Sequence, residues 1–201
     1  MFFGSAYTVL HNYTKALSVA MSYRDPLTRL HSDRVLALAE ATGMRCGLPK
    51  AELELLKFAA AFHDIGKIGI ADSILMKTSK LDDAEWEAMK QHATIGEDIL
   101  LATGVNGAPQ AARIVRHHHE HYDGQGYPDG LAGEDIPVLA RIISIADSYD
   151  AVAVTRSYHR RHGHAEVMQV LHEETGSKHD PYLMRIFSEL IESSPLKAAS
   201  A

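Results

Sequence analysis

The chain has one cysteine, Cys46, in 201 residues, which excludes a disulfide framework and any thiolate-rich zinc site. Positive charge is also short: the formal net charge is −6, so a general nucleic-acid footprint is excluded. Arg156, Arg160 and Arg161 beside Tyr158 are too few to alter that. No apolar run approaches membrane-spanning length, and Met1 to Ala20 lacks the charged start and long apolar stretch of a secretory signal. The expectation is a cytoplasmic chain that engages neither a membrane nor a nucleic-acid polymer. Strand-type alternation, internal repeats and low-complexity stretches are missing too, apart from a small-residue tail at Lys197 to Ala201.

What is present is 46% hydrophobic content, enough for one domain with a sizeable core, and apolar stripes at helical spacing. These predict an all-α fold of about seven to eight helices, at roughly 5–22, 28–46, 50–65, 82–103, 108–121, 137–156, 163–175 and 180–192. Gly43 and Gly47 are read as stopping one helix, Pro49 as opening the next, and Asp82 or Asp83 as an N-cap. The expected layout is an N-terminal helix within 1–24 packing on the core, a domain over 25–192, and a frayed tail over 193–201. The stripe Tyr7, Leu10, Tyr13, Leu17 and Met21 packs on the core in this reading, with a homodimer contact as the alternative.

Thirteen histidines are an unusual load. Leu55, Ala59 and His63 are spaced four apart, as are Leu56, Ala60 and Asp64, so one helix delivers an imidazole and a carboxylate together. Three consecutive residues span about 200° of a helix, so His117, His118 and His119 cannot all face one way. Ala111, Ile114 and Val115 select His118 and His119 as inward and leave His117 at the flank. His92 lies in line with Met89 and Gly96, Asp147 with Ala140, Ser144 and Ala151, and His31 with Val35, Leu38 and Ala39. Each alone also reads as a satisfied core, surface or capping residue. Together they place several polar groups on buried faces, which costs several kcal/mol unless a partner is shared.

Five imidazoles and two carboxylates exceed the ligand capacity of one ion, and a carboxylate such as Asp64 can bridge two. Nitrogen-rich, thiolate-free ligation disfavours calcium and magnesium. The expected cofactors are two divalent transition-metal ions, iron, manganese, nickel, cobalt or zinc, among which ligand type alone does not choose. Such a pair generates hydroxide from water near neutral pH and screens a phosphoryl group during in-line attack, which is the chemistry of phosphodiester hydrolysis.

The run His63-Asp64-Ile65-Gly66-Lys67, then His118-His119-Glu120, Asp123-Gly124-Gln125-Gly126-Tyr127-Pro128 and Ile145-Ala146-Asp147, closely resembles the HD-GYP subgroup of HD-domain metallohydrolases. The likeness extends from about His31 to Phe187. It implies a phosphodiesterase that converts the bacterial second messenger cyclic di-GMP to linear pGpG, and on to GMP in some members. It also implies that His31, His63, Asp64 and Asp147 hold one metal, and Asp64, His92, His118 and His119 the other. By the same resemblance Asp64 and Lys67 are catalytic, and Lys67, Tyr127, Arg156 and His159 meet the substrate. Another cyclic dinucleotide such as cyclic GMP-AMP, a weakly catalytic binding module, and a di-iron oxygenase on the same scaffold are the competing readings. A zincin protease is excluded, because His119-Glu120 is followed by Asp123 where a second histidine belongs.

Three departures from the pattern stand out. Leu27 occupies the position of a glutamate that holds a third metal in some relatives, which favours a binuclear site. Lys77-Thr78-Ser79 replaces Lys-Pro-Gly, and Arg156-Ser157-Tyr158-His159 replaces Arg-Pro-Tyr-Arg, which removes a basic group expected at the ligand phosphates. Relatives often carry a receiver or other sensory domain, so regulatory input is expected from domains or partners outside this sequence.

Overall fold

The computed structural model describes residues 26–154, 156–157, 160–161 and 163–198, with the single positions 15, 19 and 23. The N-terminal helix expected within 1–24 therefore lies essentially outside the described residues. The described part is helical: α1 Pro26–Arg45, α2 Lys50–Phe62, a 3-10 segment Ile65–Gly69, a single turn α3 Asp72–Leu75, α4 Asp83–Lys90, α5 His92–Ala102, α6 Ala108–Arg116, a 3-10 turn Gly133–Asp135, α7 Val138–Val154, α8 His164–Glu173 and α9 Pro181–Glu192. Strand structure among the described residues is confined to a two-residue antiparallel hairpin, Arg156–Ser157 against Arg160–Arg161.

The core is where the apolar stripes meet. Helix α1 packs on α2 and α7, α2 on α6, α5 on α6 and on the 3-10 segment, and α8 and α9 close over α7. Leu56, Leu100, Ala111, Val115, Ile142, Ile143 and Phe187 are fully buried there. Helix α7 is buried over most of Leu139 to Asp150 because helices cover it on several sides, which is why its sequence reads as a near-continuous apolar run.

Four expectations are corrected. The helix expected over 82–103 is two helices broken at Gln91, the one expected over 108–121 ends at Arg116, and the one expected over 50–65 ends at Phe62. Gly43 lies inside α1 rather than ending it; a Cβ there would stand 2.7 Å from a Leu56 methyl, so it serves α1–α2 contact, while Gly47 at φ +72 makes the stop. Within the tail expected over 193–201, the Ala198 N–H donates to Tyr149 Oη at 2.8 Å, and 199–201 lie outside the described residues. Finally, Asp82 is the N-cap of α4, in a reciprocal capping box with Glu85, whereas Asp83 is the first helical residue.

Candidate metal centre

The three helix ends that sequence periodicity ran through are what build the site. A helix end leaves backbone carbonyls without intrahelical partners. In three places a histidine just past the end supplies the missing donor: the Nδ1–H of His63 donates to Ala60 O at 2.7 Å, that of His92 to Met89 O at 2.8 Å, and that of His118 to Val115 O at 2.6 Å. Each bond reaches back three residues. It fixes the ring and its tautomer, leaving the Nε2 lone pair bare. All three Nε2 atoms are buried and without a hydrogen-bond partner. An unpaired buried polar atom costs about 1–3 kcal/mol, so three aimed into one cavity fit a ligand that accepts lone pairs.

Two of them, on His63 and His92, meet Asp64, whose two oxygens face different neighbours. Oδ2 lies 3.5 Å from His63 Nε2 and 3.9 Å from His31 Nε2, whereas Oδ1 lies 3.6 Å from His92 Nε2. Two sets of possible ligands result, His31, His63 and Asp64 in one and His92, His118 and His119 in the other, each with ligand atoms within 4.8 Å of one another. Asp147 stands between them, with Oδ1 3.0 Å from His31 Nε2 and Oδ2 4.0 Å from His119 Nδ1. All seven expected ligands are thus brought into one cluster, whose donor types suit divalent cations.

The electrostatics of the two sets differ. Burial alone would raise the Asp64 carboxyl, but Lys67 and the imidazoles of His63, His92 and His31 outweigh it and hold the group well below the usual carboxylate range. Lys67 Nζ lies 2.7 Å from Asp64 Oδ2. Burial also opposes charge on His31, but Asp147 and Asp150 overcome it and push the imidazole up to about 10. For His118, burial dominates, and nearby imidazoles add to it, so the ring is held neutral. His119 is lowered to about 3, by burial first.

Two supporting groups escaped the sequence reading. Asp150 Oδ2 accepts from His31 Nδ1 at 2.7 Å, and Arg34 grips the same carboxylate at 2.5 and 2.9 Å. The signal was there as two pairs three residues apart, His31 with Arg34 on α1 and Asp147 with Asp150 on α7, which place a ligand and its orienting partner on the same helix faces. Glu120 is the other. Its carboxylate accepts the N–H of Asp129 at 2.8 Å and of Leu131 at 3.1 Å, holding the signature loop. Gly126 lies so close to that strand of chain that an added Cβ would sit 2.2 Å from His121 N, which explains the glycine. Gly66 is equally constrained, its Cβ position falling on the backbone carbonyl of His92.

His117, expected at the flank, is buried instead. Because α6 has already ended, it turns away from the metal set toward Glu120 and Asp129, at 3.5 and 3.6 Å. Those carboxylates are occupied by loop amides and by a two-bonded grip from Arg116, so this group acts as a loop clamp. Tyr127 lies against His119, ring centroids 4.9 Å apart. Burial, then Asp64 and Asp147, push its phenol up, so it stays a hydrogen-bond donor. His159 and the side chain of Arg156 lie outside the described residues.

The HD domain family model matches residues 15–183, so the chain belongs to the HD domain family. The motifs around His118 and Tyr127 place it in the HD-GYP group of that family. A cyclic di-GMP phosphodiesterase response regulator of Xanthomonas campestris is 38% identical over 165 residues, 82% of this chain and 44% of the relative. A 3'3'-cGAMP-specific phosphodiesterase of Vibrio cholerae is 36% identical over 173 residues, 86% of this chain and 33% of the relative. The crystal structure of a cyclic GMP-AMP phosphodiesterase of V. cholerae shares the fold, with a TM-score of 0.69 at 21% identity over 94% of this chain and 49% of that one. The chain spans less than half the length of each of these proteins. No helix among the described residues is long and apolar enough to cross a membrane.

Proposed function

We propose that the chain is a metal-dependent phosphodiesterase that hydrolyses cyclic di-GMP to linear pGpG, working in the cytoplasm within bacterial second-messenger signalling. The observation that carries the reading is the set of three buried Nε2 atoms without hydrogen-bond partners, those of His63 and His92 on opposite oxygens of Asp64 and that of His118 beside His92 and His119. The named activity of the Xanthomonas relative supports the substrate class. In this reading residues 25–192 are the catalytic unit, with 1–24 packed on it.

His31, His63, Asp64 and Asp147 would hold one divalent ion, and Asp64, His92, His118 and His119 the other, with iron or manganese the expected occupants. When bound, the pair supplies a nucleophile from water at neutral pH and neutralises charge on the phosphoryl group. The protein does the rest. Lys67, beside Asp64, brings an ammonium to the phosphodiester as negative charge develops. Tyr127 keeps its proton and donates to a phosphate oxygen. The Glu120 carboxylate holds the Tyr127 loop through the amides of Asp129 and Leu131, and in this reading Arg156 and His159 would meet the substrate.

The Vibrio relative's named specificity favours a second substrate, 3'3'-cGAMP. Metal analysis of anaerobically purified protein, followed by chromatography of the products from both dinucleotides, tests the reading. Two transition-metal ions per chain and release of pGpG are expected. Undiminished hydrolysis by a metal-free His63→Ala, Asp64→Ala double variant overturns it.

A further inference from the structure

Beside the metal centre one large ring is left open to solvent. Trp86, the chain's single tryptophan, is 47% exposed on α4. It is not on a loose end: the Asp82–Glu85 capping box opens the helix, and Lys77 reaches across from the preceding segment to Glu85. The indole meets Tyr127 nearly at right angles, centroids 6.2 Å apart. Tyr127 is engaged on its own account, tilted at 30° against His119 and with Lys90 Nζ 5.7 Å from its ring centre. A line of rings therefore runs from a metal ligand outward, and only the outermost presents substantial free surface. An exposed aromatic two ring contacts from a cluster of candidate metal ligands, with a lysine alongside, has the character of a base-stacking platform.

We propose that Trp86 is a stacking subsite for one purine of a cyclic dinucleotide, with Tyr127 and Lys90 as its wall; this rests on the phosphodiesterase reading above. The span suits a nucleotide, whose phosphodiester sits at the ions while its base lies two ring contacts away. Because every purine offers a π-face, this contact supplies affinity for cyclic di-GMP and 3'3'-cGAMP alike rather than a choice between them.

The test uses the lone indole as its own reporter. On rapid mixing of the metal-loaded chain, cyclic di-GMP and 3'3'-cGAMP quench its fluorescence saturably, whereas ribose 5-phosphate, which has no base, does not. Trp86→Leu, which keeps bulk but no π-face, raises KM for cyclic di-GMP about tenfold or more with kcat nearly unchanged, and Trp86→Phe retains most of the affinity. Both variants are compared at equal metal content. Turnover by the parent chain with unmoved fluorescence and an unchanged KM in Trp86→Leu overturns the subsite and leaves the phosphodiesterase reading standing. Saturable quenching without turnover keeps the subsite and overturns that reading, and a result with neither overturns both.

Discussion

The two halves of the candidate metal centre differ in what orients and charges their imidazoles. The half around His92, His118 and His119 is all imidazole, and two of its three rings are oriented by backbone carbonyls at helix ends. The other half is rich in carboxylate: His63 is again oriented by a helix-end carbonyl, that of Ala60, but His31 is oriented by side chains, with Asp147 on one ring nitrogen, Asp150 on the other and Arg34 behind. The first is held neutral and ready before an ion arrives. The second holds a proton on His31 that an ion must displace. Helix-end carbonyls thus orient rings in both halves, and tertiary charge is added only around His31, with Asp64 between the two.

Removing the join has the largest expected effect. Asp64→Ala takes metal content from two ions to none and turnover below detection, since both sets lose a ligand; His92→Ala, which touches one set, leaves one ion by elemental analysis. Retention of both ions in Asp64→Ala breaks the comparison. Next, Asp150→Asn weakens binding at the His31 half by about 10- to 100-fold while the imidazole half keeps its affinity, measured by competition with a chelator.

Proton linkage gives a third, smaller contrast. His31 rises from 6.5 to about 10 in the fold, so metal loading at its half releases a proton and tightens by about tenfold per pH unit through the neutral range. His119 is lowered to about 3, so the other half changes little between pH 6 and 8. In the metal-free chain the same shifts act on stability. The His31 contribution is fully present below about 6.5 and is lost as pH rises through about 10. The His119 environment disfavours the proton, so stability is lost as pH falls from about 6.5 toward 3, and the depressed Asp64 and Asp147 carboxyls add to the acid loss. Thermal melts of metal-free protein are expected to peak near pH 6.5, and a monotonic profile contradicts the split. The smallest effect lies outside the centre: Asp82→Ala removes the α4 cap and costs about 0.5–2 kcal/mol in chemical denaturation, with metal content unchanged.

Much of this was legible one residue at a time. The candidate ligands lie on or next to apolar stripes, and the spacing of Leu55, Ala59 and His63 or of Ala111, Val115 and His119 picks out side chains that the fold brings together even though the helices stop earlier than expected. Periodicity measures which way a residue faces while a helix lasts; it carries little information about where the helix ends when a histidine ring, rather than glycine or proline, caps the last turn. That is why Gln91, Arg116 and Phe62 passed unnoticed as boundaries. His117 was misplaced for the same reason: extending the helix put it on a flank, while the actual turn buries it against Glu120 and Asp129.

By itself the sequence determined the helical class, the seven candidate ligands that the fold brings together and the loop that carries Tyr127, because these follow from residue type and from spacings of three or four within one element. Only the tertiary structure decided which imidazoles are neutral and which is charged, how Asp64 divides its oxygens, and that Asp150 and Arg34 stand behind His31. Those properties depend on burial and on distances between α1, α5, α6 and α7, where a change of an ångström alters desolvation and Coulomb energy while the order of residues along the chain stays the same.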